Sequence, residues 1–255
     1  VAGQQGQVYG HLAELYERAR PGYPNELIDE VIALVGAGSW ALDAGCGTGK
    51  AAALLAARAL TGVGVDLDPA MAEVARLQLG GWAGWRVDVS AFEDWSPGPG
   101  DAPFDLVVSA QAWHWFQPEA SFRKVYGILR PGGWLVLWWN GPGDFNSDTR
   151  RAIERAYAEH APEIKYRGLA GHPRPEFGPV PDGVSFGTPL LRDYPWVCTY
   201  TAGGWVDLVR TSADHQMLPE DRREAALAAV ARAIDAHGGT YEHPYVCRVC
   251  AAQRL

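Results

Sequence analysis

The chain has 255 residues, 47% hydrophobic and 20% charged, which is enough apolar material for one full α/β core and too ordered a composition for a disordered chain. Its net charge of −8 excludes phosphate backbones as natural partners, because the arginines are scattered and lysine occurs only at Lys50, Lys124 and Lys165. No continuous apolar stretch suits a membrane span, and the N-terminal residues lack the basic and apolar regions of a signal peptide, so the expected compartment is the cytoplasm.

Strands and helices alternate through the first half at the spacing of a parallel sheet with helical crossovers. A helix is predicted from Asn25, read as its cap, to a stop at Gly36. Residues 40–43 form a short strand, 50–60 an alanine-rich helix and 63–66 the next strand. Asp68 and Pro69 make a cap and first-turn pair that opens another helix. Strands follow at 85–88 and 104–109, and Pro118 opens the helix that ends before the turn at 129–133. Residues 134–139 read as a strand covered on both faces.

Past Asn140 the rhythm changes. Ser147 can cap a helix to about His160, and residues 161–192, rich in proline and glycine, read as an ordered loop or lid. A strand at 196–200, helices at 204–212 and 219–237 and a last strand at 241–252 complete the chain. Cys247 and Cys250 lie three apart on that last strand, so their sulfurs should point to opposite faces rather than hold a metal.

The chemistry concentrates at one turn. A strand ends at Asp43, Gly45, Gly47 and Gly49 follow at G-x-G-x-G spacing, and a helix begins. Glycine there permits positive φ angles and close approach of a ligand. Asp66, at the end of the next strand, is placed to accept hydrogen bonds from ribose hydroxyls. The dinucleotide fingerprint needs glycine where Lys50 stands, and a P-loop needs Gly at 44 and Ser or Thr at 51, which are Ala44 and Ala51. The spacing therefore suits an adenosine carrying a short amino-acid tail.

The stretch LDAGCGTGK at 42–50 resembles the first motif of the class I S-adenosylmethionine-dependent methyltransferases. The likeness continues in VDLDPAM at 65–71, FDLVVS at 104–109 and LRPGG at 129–133. Beyond the core, YERARPGYP at 16–24, AQAWHWF at 110–116, LVRTS at 208–212 and LPE at 218–220 look like the small-molecule, trans-aconitate-type branch. The resemblance implies a Rossmann-like α/β fold with a seven-stranded sheet, order 3-2-1-4-5-7-6 with the last strand antiparallel, and helices on both faces. It also implies a single domain, with 1–25 as an N-terminal lid, 37–140 as cofactor core, 141–240 as a helical and loop cap over the substrate cleft, and 241–255 as the last strand.

The implied cofactor is S-adenosyl-L-methionine. Gly45, Gly47 and Gly49 should face its methionine part with Asp43 near the ammonium, Asp66 should bind the ribose beside Leu67, and Phe92 should flank the adenine. Gln111 should lie near the sulfonium or tail. Arg20 should pair with the carboxylate, with Arg18 close enough to compete. Such enzymes often carry an acid directly after the third strand, facing the adenine amine; here either Asp88 or a backbone group fills that place.

A methyl donor of this kind needs a nucleophile held in line and water kept out. His114, past the fourth strand, is the candidate general base, or else a packing or orienting residue between Trp113 and Trp115. His215 either reaches the cleft or caps a helix in solvent. His160, His172, His237 and His243 read as surface or loop residues, and no Asp, Asn and Glu set resembles a magnesium site. Trp113, Trp115, Trp138 and Trp139 are expected around the ligand edge, as core or as an aromatic wall. The expected acceptor is a small molecule, methylated on oxygen or carboxylate first, with nitrogen and carbon open. An NAD-dependent oxidoreductase and a non-catalytic cofactor-binding regulator are the alternatives.

Overall fold

Seven strands, β1 (Trp40–Ala44), β2 (Thr61–Asp66), β3 (Trp85–Val89), β4 (Phe104–Ala110), β5 (Leu129–Pro142), β6 (Leu190–Thr201) and β7 (Thr240–Gln253), form one sheet in the order β3-β2-β1-β4-β5-β7-β6. β1 to β5 pair in parallel, and β7 runs antiparallel to both β5 and β6. The sheet is the one the family resemblance implies. The computed structural model describes residues 12–101, 103–143, 146–164, 177 and 180–255.

Successive side chains of a strand point to opposite faces, and the apolar runs of β4 and β5 use both. Val107, Leu135, Leu137 and Trp139 pack on one side with Phe122 and Val125 of α5 (Pro118–Ile128). Leu106, Val108, Val136 and Trp138 pack on the other with α2 (Asn25–Val35) and α3 (Lys50–Ala56), through Leu27, Ile28, Val31 and Leu55. Alanines on α3 and α4 (Pro69–Leu79) let those helices approach closely, with Ala52, Ala56, Ala72 and Ala75 all buried between them. Asp68 caps α4, accepting from the amides of Ala70 and Met71 as its position predicted.

A second core lies beyond the sheet's end. Ala19 of α1 (Ala13–Ala19) joins Ile153 and Tyr157 of α6 (Asp148–His160), Trp205 and Leu208 of α7 (Ala202–Arg210), and Leu227 and Val230 of α9 (Glu220–Asp235). Trp205 and Tyr157 are fully buried there, and burial of such a side chain contributes about 3 kcal/mol. The short α8 (Ala213–Gln216) links α7 to α9.

Several boundaries differ from those expected. Asn25 is the first residue of α2 and makes no capping bond. α3 ends at Ala56 rather than 60. The helix placed at 204–212 begins at Ala202, capped by Thr201, and gives way to α8 after Arg210. Residues 129–133 are not a separate turn: Leu129 already pairs with Phe104, the chain bulges through Gly132 at φ 73°, and pairing resumes at Trp134. β6 begins at Leu190 rather than 196, because β7 is long enough to pair with it from Ala251 back to Thr240. As an edge strand its leucines stay exposed, which removed the alternation that would have revealed it.

Cys247 faces the α2 side of the sheet and Cys250 the opposite side, both buried and neither in a disulfide. His243, read as a surface residue, is instead fully buried on β7 among Trp205, Tyr241 and Tyr245, and burial lowers its pKa to about 4. His237 is exposed, as expected. Lys165 and His172 lie outside the described residues. Among the described residues no helix is long and apolar enough to cross a membrane.

Candidate active site

The carboxyl ends of the parallel strands surround a cavity of about 390 Å³, within the range of small-ligand sites. Each strand end contributes: Gly45, Cys46 and Gly47 after β1, Asp66 and Leu67 at β2, Ser90 to Asp94 after β3, Gln111 and Ala112 after β4, and Asn140 within β5. Tyr16, Arg20, Pro21 and Tyr23 close it from the N-terminal segment.

The glycine turn is built mainly by the protein's own needs. Gly45, Gly47 and Gly49 have φ of 72°, 54° and 86°. A Cβ on Gly45 would stand 2.4 Å from that of Ala112, and one on Gly49 would press at 3.2 Å on Ala75 of α4. Only at Gly47 would it meet nothing within 4 Å, so Gly47 is the position whose open side faces a ligand. Gly49 lies outside the cavity lining, behind the turn.

Asp66 ties the turn to β2. Its Oδ2 accepts from the Gly47 amide at 2.7 Å and its Oδ1 from the Asp68 amide at 2.9 Å. Each oxygen keeps a lone pair for a ligand hydroxyl. Burial raises its pKa, with the Asp68 and Gly47 amides opposing. Gln111 is held at φ 61°, an uncommon conformation for a side-chain-bearing residue that costs about 1 kcal/mol. Its amide donates to Trp138 O at 3.0 Å, while its buried Oε1 has no partner and awaits a donor.

Asp43 does not line the cavity. It is fully buried under the turn, and neither carboxylate oxygen makes a hydrogen bond. Desolvation raises its pKa to about 7; the Ala52 amide opposes this from a geometry short of a hydrogen bond, and the Asp66 charge adds to it. Because the folded pKa is raised, the neutral acid stabilises the protein fully below pH 4, and the stabilisation is lost as pH rises toward 7. The shift corresponds to about 4 kcal/mol across that window. Asp43→Asn should remove this component, so urea titrations from pH 4 to 7 should show a flatter stability profile for the variant. Parallel profiles would refute the assignment.

Arg20, which lines the cavity, donates from Nε to Thr211 Oγ1 at 2.8 Å and from one terminal nitrogen to Thr211 O at 3.0 Å and Ser212 Oγ at 3.5 Å. All these partners are neutral, so the guanidinium can receive an anion. Arg18 instead pairs with Asp207 at 3.3 Å and lies outside the lining, whereas Arg20 is part of it. Lys50 donates to Glu17 O at 2.6 Å and Oε1 at 3.0 Å and so fastens α1 to α3.

Other expected residues fall elsewhere. His114 is exposed on a 3-10 turn (Trp113–Trp115) outside the lining, and its Nδ1 accepts from Trp139 Nε1 at 3.2 Å. An indole nitrogen only donates, so the neutral ring carries its proton on Nε2 and its acceptor nitrogen is engaged, which disfavours a base. His215 neither reaches the cavity nor faces solvent: it is buried in the second core, with Nε2 at 2.8 Å from Tyr157 Oη and Nδ1 at 3.0 Å from Asp214. Trp113, Trp138 and Trp139 are core residues, and of the four tryptophans only Trp115 lines the cavity.

Asp88 accepts from Trp95 Nε1 at 2.9 Å and faces Arg86, so it is spent on structure; Glu93 and Asp94 are the acids after β3 that line the cavity. Described residues of 141–240 supply none of the lining. In the expected lid, Phe177 and Phe186 pack on Phe122, on the α5 side of the sheet. Tyr16, Tyr23, Lys50 and Asn140 were not singled out as site residues, although Asn140 follows the strand-end rule that located Asp66. Among the described residues no three His, Cys, Asp or Glu side chains converge as a metal set.

Residues 42–137 match the family model of the methyltransferase domain. An uncharacterised methyltransferase from Mycobacterium tuberculosis is 40% identical over 132 residues, 52% of this chain and 51% of that protein, so the chain spans about half the length of that relative. A trans-aconitate 2-methyltransferase from Paracidovorax citrulli is 29% identical over 232 residues, covering 86% of this chain and 85% of the other. A solved chain from Anaeromyxobacter dehalogenans, assigned as a type II methyltransferase, superposes with a TM-score of 0.58 at 24% identity, covering 92% of this chain and 96% of that one. At that identity the likeness shows the fold.

Proposed function

We propose that this chain, whose residues 42–137 match the family model of the methyltransferase domain, is a class I S-adenosylmethionine-dependent methyltransferase that methylates a small molecule, on oxygen and first of all on a carboxylate. The observation that carries the reading is the cavity at the strand ends, lined by Asp66, Gly47 and Gln111 and by Arg20, whose hydrogen-bond partners among the described residues are all neutral. Asp66 would hold the ribose, Leu67 and Phe92 the adenine, Gln111 the region of the sulfonium, and Arg20 the amino-acid carboxylate. Bound there, S-adenosylmethionine supplies an activated methyl group.

The protein's own share is orientation and the exclusion of water. A carboxylate acceptor carries no proton at neutral pH, so it asks for no general base, and no histidine lines the cavity among the described residues. The trans-aconitate relative favours the same acceptor class. An open cavity argues against a purely regulatory binder, and Lys50 tied to Glu17 offers nothing to a pyrophosphate.

The test is transfer of labelled methyl to a panel of small carboxylic acids. Label released by mild base marks methyl esters; base-stable label would redirect the reading to hydroxyl, nitrogen or carbon acceptors. On any acceptor found this way, His114→Ala should keep turnover within about threefold of wild type, whereas loss of a general base costs about a hundredfold or more.

A further inference from the structure

The segment after β3 that lines the nucleobase end has an unusual anchor. Asp94 and Trp95 both donate their amides to Ala91 O, at 3.1 and 3.0 Å, which folds residues 91–95 into one tight turn. The turn leaves the carbonyls of Phe92, Glu93 and Trp95 pointing inward. Lys124, from the middle of α5, places its ammonium among them: Nζ donates to Phe92 O at 2.8 Å, to Glu93 O at 2.6 Å and, by a still shorter contact, to Trp95 O. Three donors meet three acceptors, and the ammonium also lies 5.5 Å from the centre of the Phe92 ring. No other described group donates to these three carbonyls.

Among the described residues Lys124 makes no side-chain ion pair, although Glu93 and Asp94 are near enough to oppose the lowering of its pKa by burial. It works as a built-in cation at the centre of the turn. Phe92, Glu93 and Asp94, on the same turn, line the cavity, and one Glu93 carboxylate oxygen accepts from the Gln117 amide at 2.8 Å. Asp88, within β3, is turned away to Trp95 and Arg86 and is absent from the lining, so the acids after β3 that line the cavity belong to this turn.

We propose that Lys124 is a positioning residue for the cofactor, holding the 91–95 turn in the shape that recognises the adenine. This rests on the methyl-donor reading above. Without the ammonium, three buried carbonyls lose their donors and the turn relaxes, so the edge that meets the exocyclic amine is lost while the ribose and tail contacts stay.

Calorimetric titration with S-adenosylhomocysteine and with S-inosylhomocysteine, which has an oxygen in place of the adenine amine, tests this. Wild type should prefer the adenine form, Lys124→Met should bind it about tenfold more weakly, and the preference should shrink toward parity. Lys124→Arg keeps the charge but cannot meet three converging carbonyls at one point, so it should lie between the two, and it decides the matter if the methionine variant does not fold. Wild-type preference retained in whichever variant folds overturns the proposal. Wild-type protein that binds neither ligand overturns the methyl-donor reading instead.

Discussion

Asp66→Ala is expected to weaken S-adenosylhomocysteine binding by about a hundredfold or more, since two charge-assisted hydrogen bonds to ribose hydroxyls are worth about 3 kcal/mol together at the least. The carboxylate has two tasks. It fixes Gly47 and Asp68 through their amides, at 2.7 and 2.9 Å, and it offers its remaining lone pairs to the cavity. Alanine removes both the ligand's acceptor and the tie that holds Gly47 in place. Asn keeps one acceptor oxygen but turns an amide N–H₂ toward a backbone donor, so Asp66→Asn should lose about tenfold, less than alanine. The fold should survive, because Asp66 sits at a strand end outside the apolar clusters. Circular dichroism beside the titration separates loss of binding from loss of structure. An alanine variant with wild-type affinity would remove Asp66 from the ligand.

The second large effect separates two glycines that look equivalent in sequence. Gly45→Ala should destabilise the protein by about 3–5 kcal/mol, combining a positive-φ penalty with overpacking. The added Cβ would lie 2.4 Å from the Ala112 Cβ and 3.1 Å from the Phe116 ring, and neither can retreat far, because Ala112 precedes the turn that carries buried Trp113. Gly47→Ala meets nothing within 4 Å and should cost about 1 kcal/mol, only the backbone penalty. Its methyl group enters the ligand's space, so binding should fall by about tenfold or more. Thermal melts and titrations of both variants should show opposite patterns: stability lost at Gly45, affinity lost at Gly47. Equal melting temperatures would contradict the packing account.

How far the sequence could be read follows from what each residue needs locally. β1, β2 and β4 were readable because each is a short apolar run with a residue of its own chemistry at or beside its end: Asp43, Asp66 or Gln111. Asp68 and Ser147 were readable as caps because capping depends on neighbours two or three positions away. β6 was shortened because its first four residues, 190–193, are all exposed and carry no alternation. His243 and His215 were misplaced because nothing local to a histidine tells whether distant aromatics will cover it; Trp205 and Tyr241 enclose one, and Tyr157 bonds the other.

The site itself divides the same way. Asp66 and Gly47 follow from spacing, and Arg20 from a motif, but the contacts of Arg20 with Thr211 and Ser212 span about 190 residues and leave no local trace. Lys124 gave no signal at all, since one lysine on an amphipathic helix is ordinarily solvent-facing. Asp43 was placed correctly in the chain yet lies under the turn rather than in the cavity, a matter of side-chain direction that spacing cannot supply. The expectation of a pocket roofed by 141–240 came from the family resemblance; the described part of that region builds a core of its own and touches lining residues through Thr211 and Ser212 on Arg20 and through Trp196 on Asn140.

The central claim is that this cavity takes S-adenosylmethionine and no dinucleotide. Calorimetric titration of the wild-type chain with S-adenosylhomocysteine and, separately, with NADH addresses it directly. Saturable binding of S-adenosylhomocysteine at one site per chain, with no heat from NADH, is the predicted result. Binding of NADH with none of S-adenosylhomocysteine would contradict it.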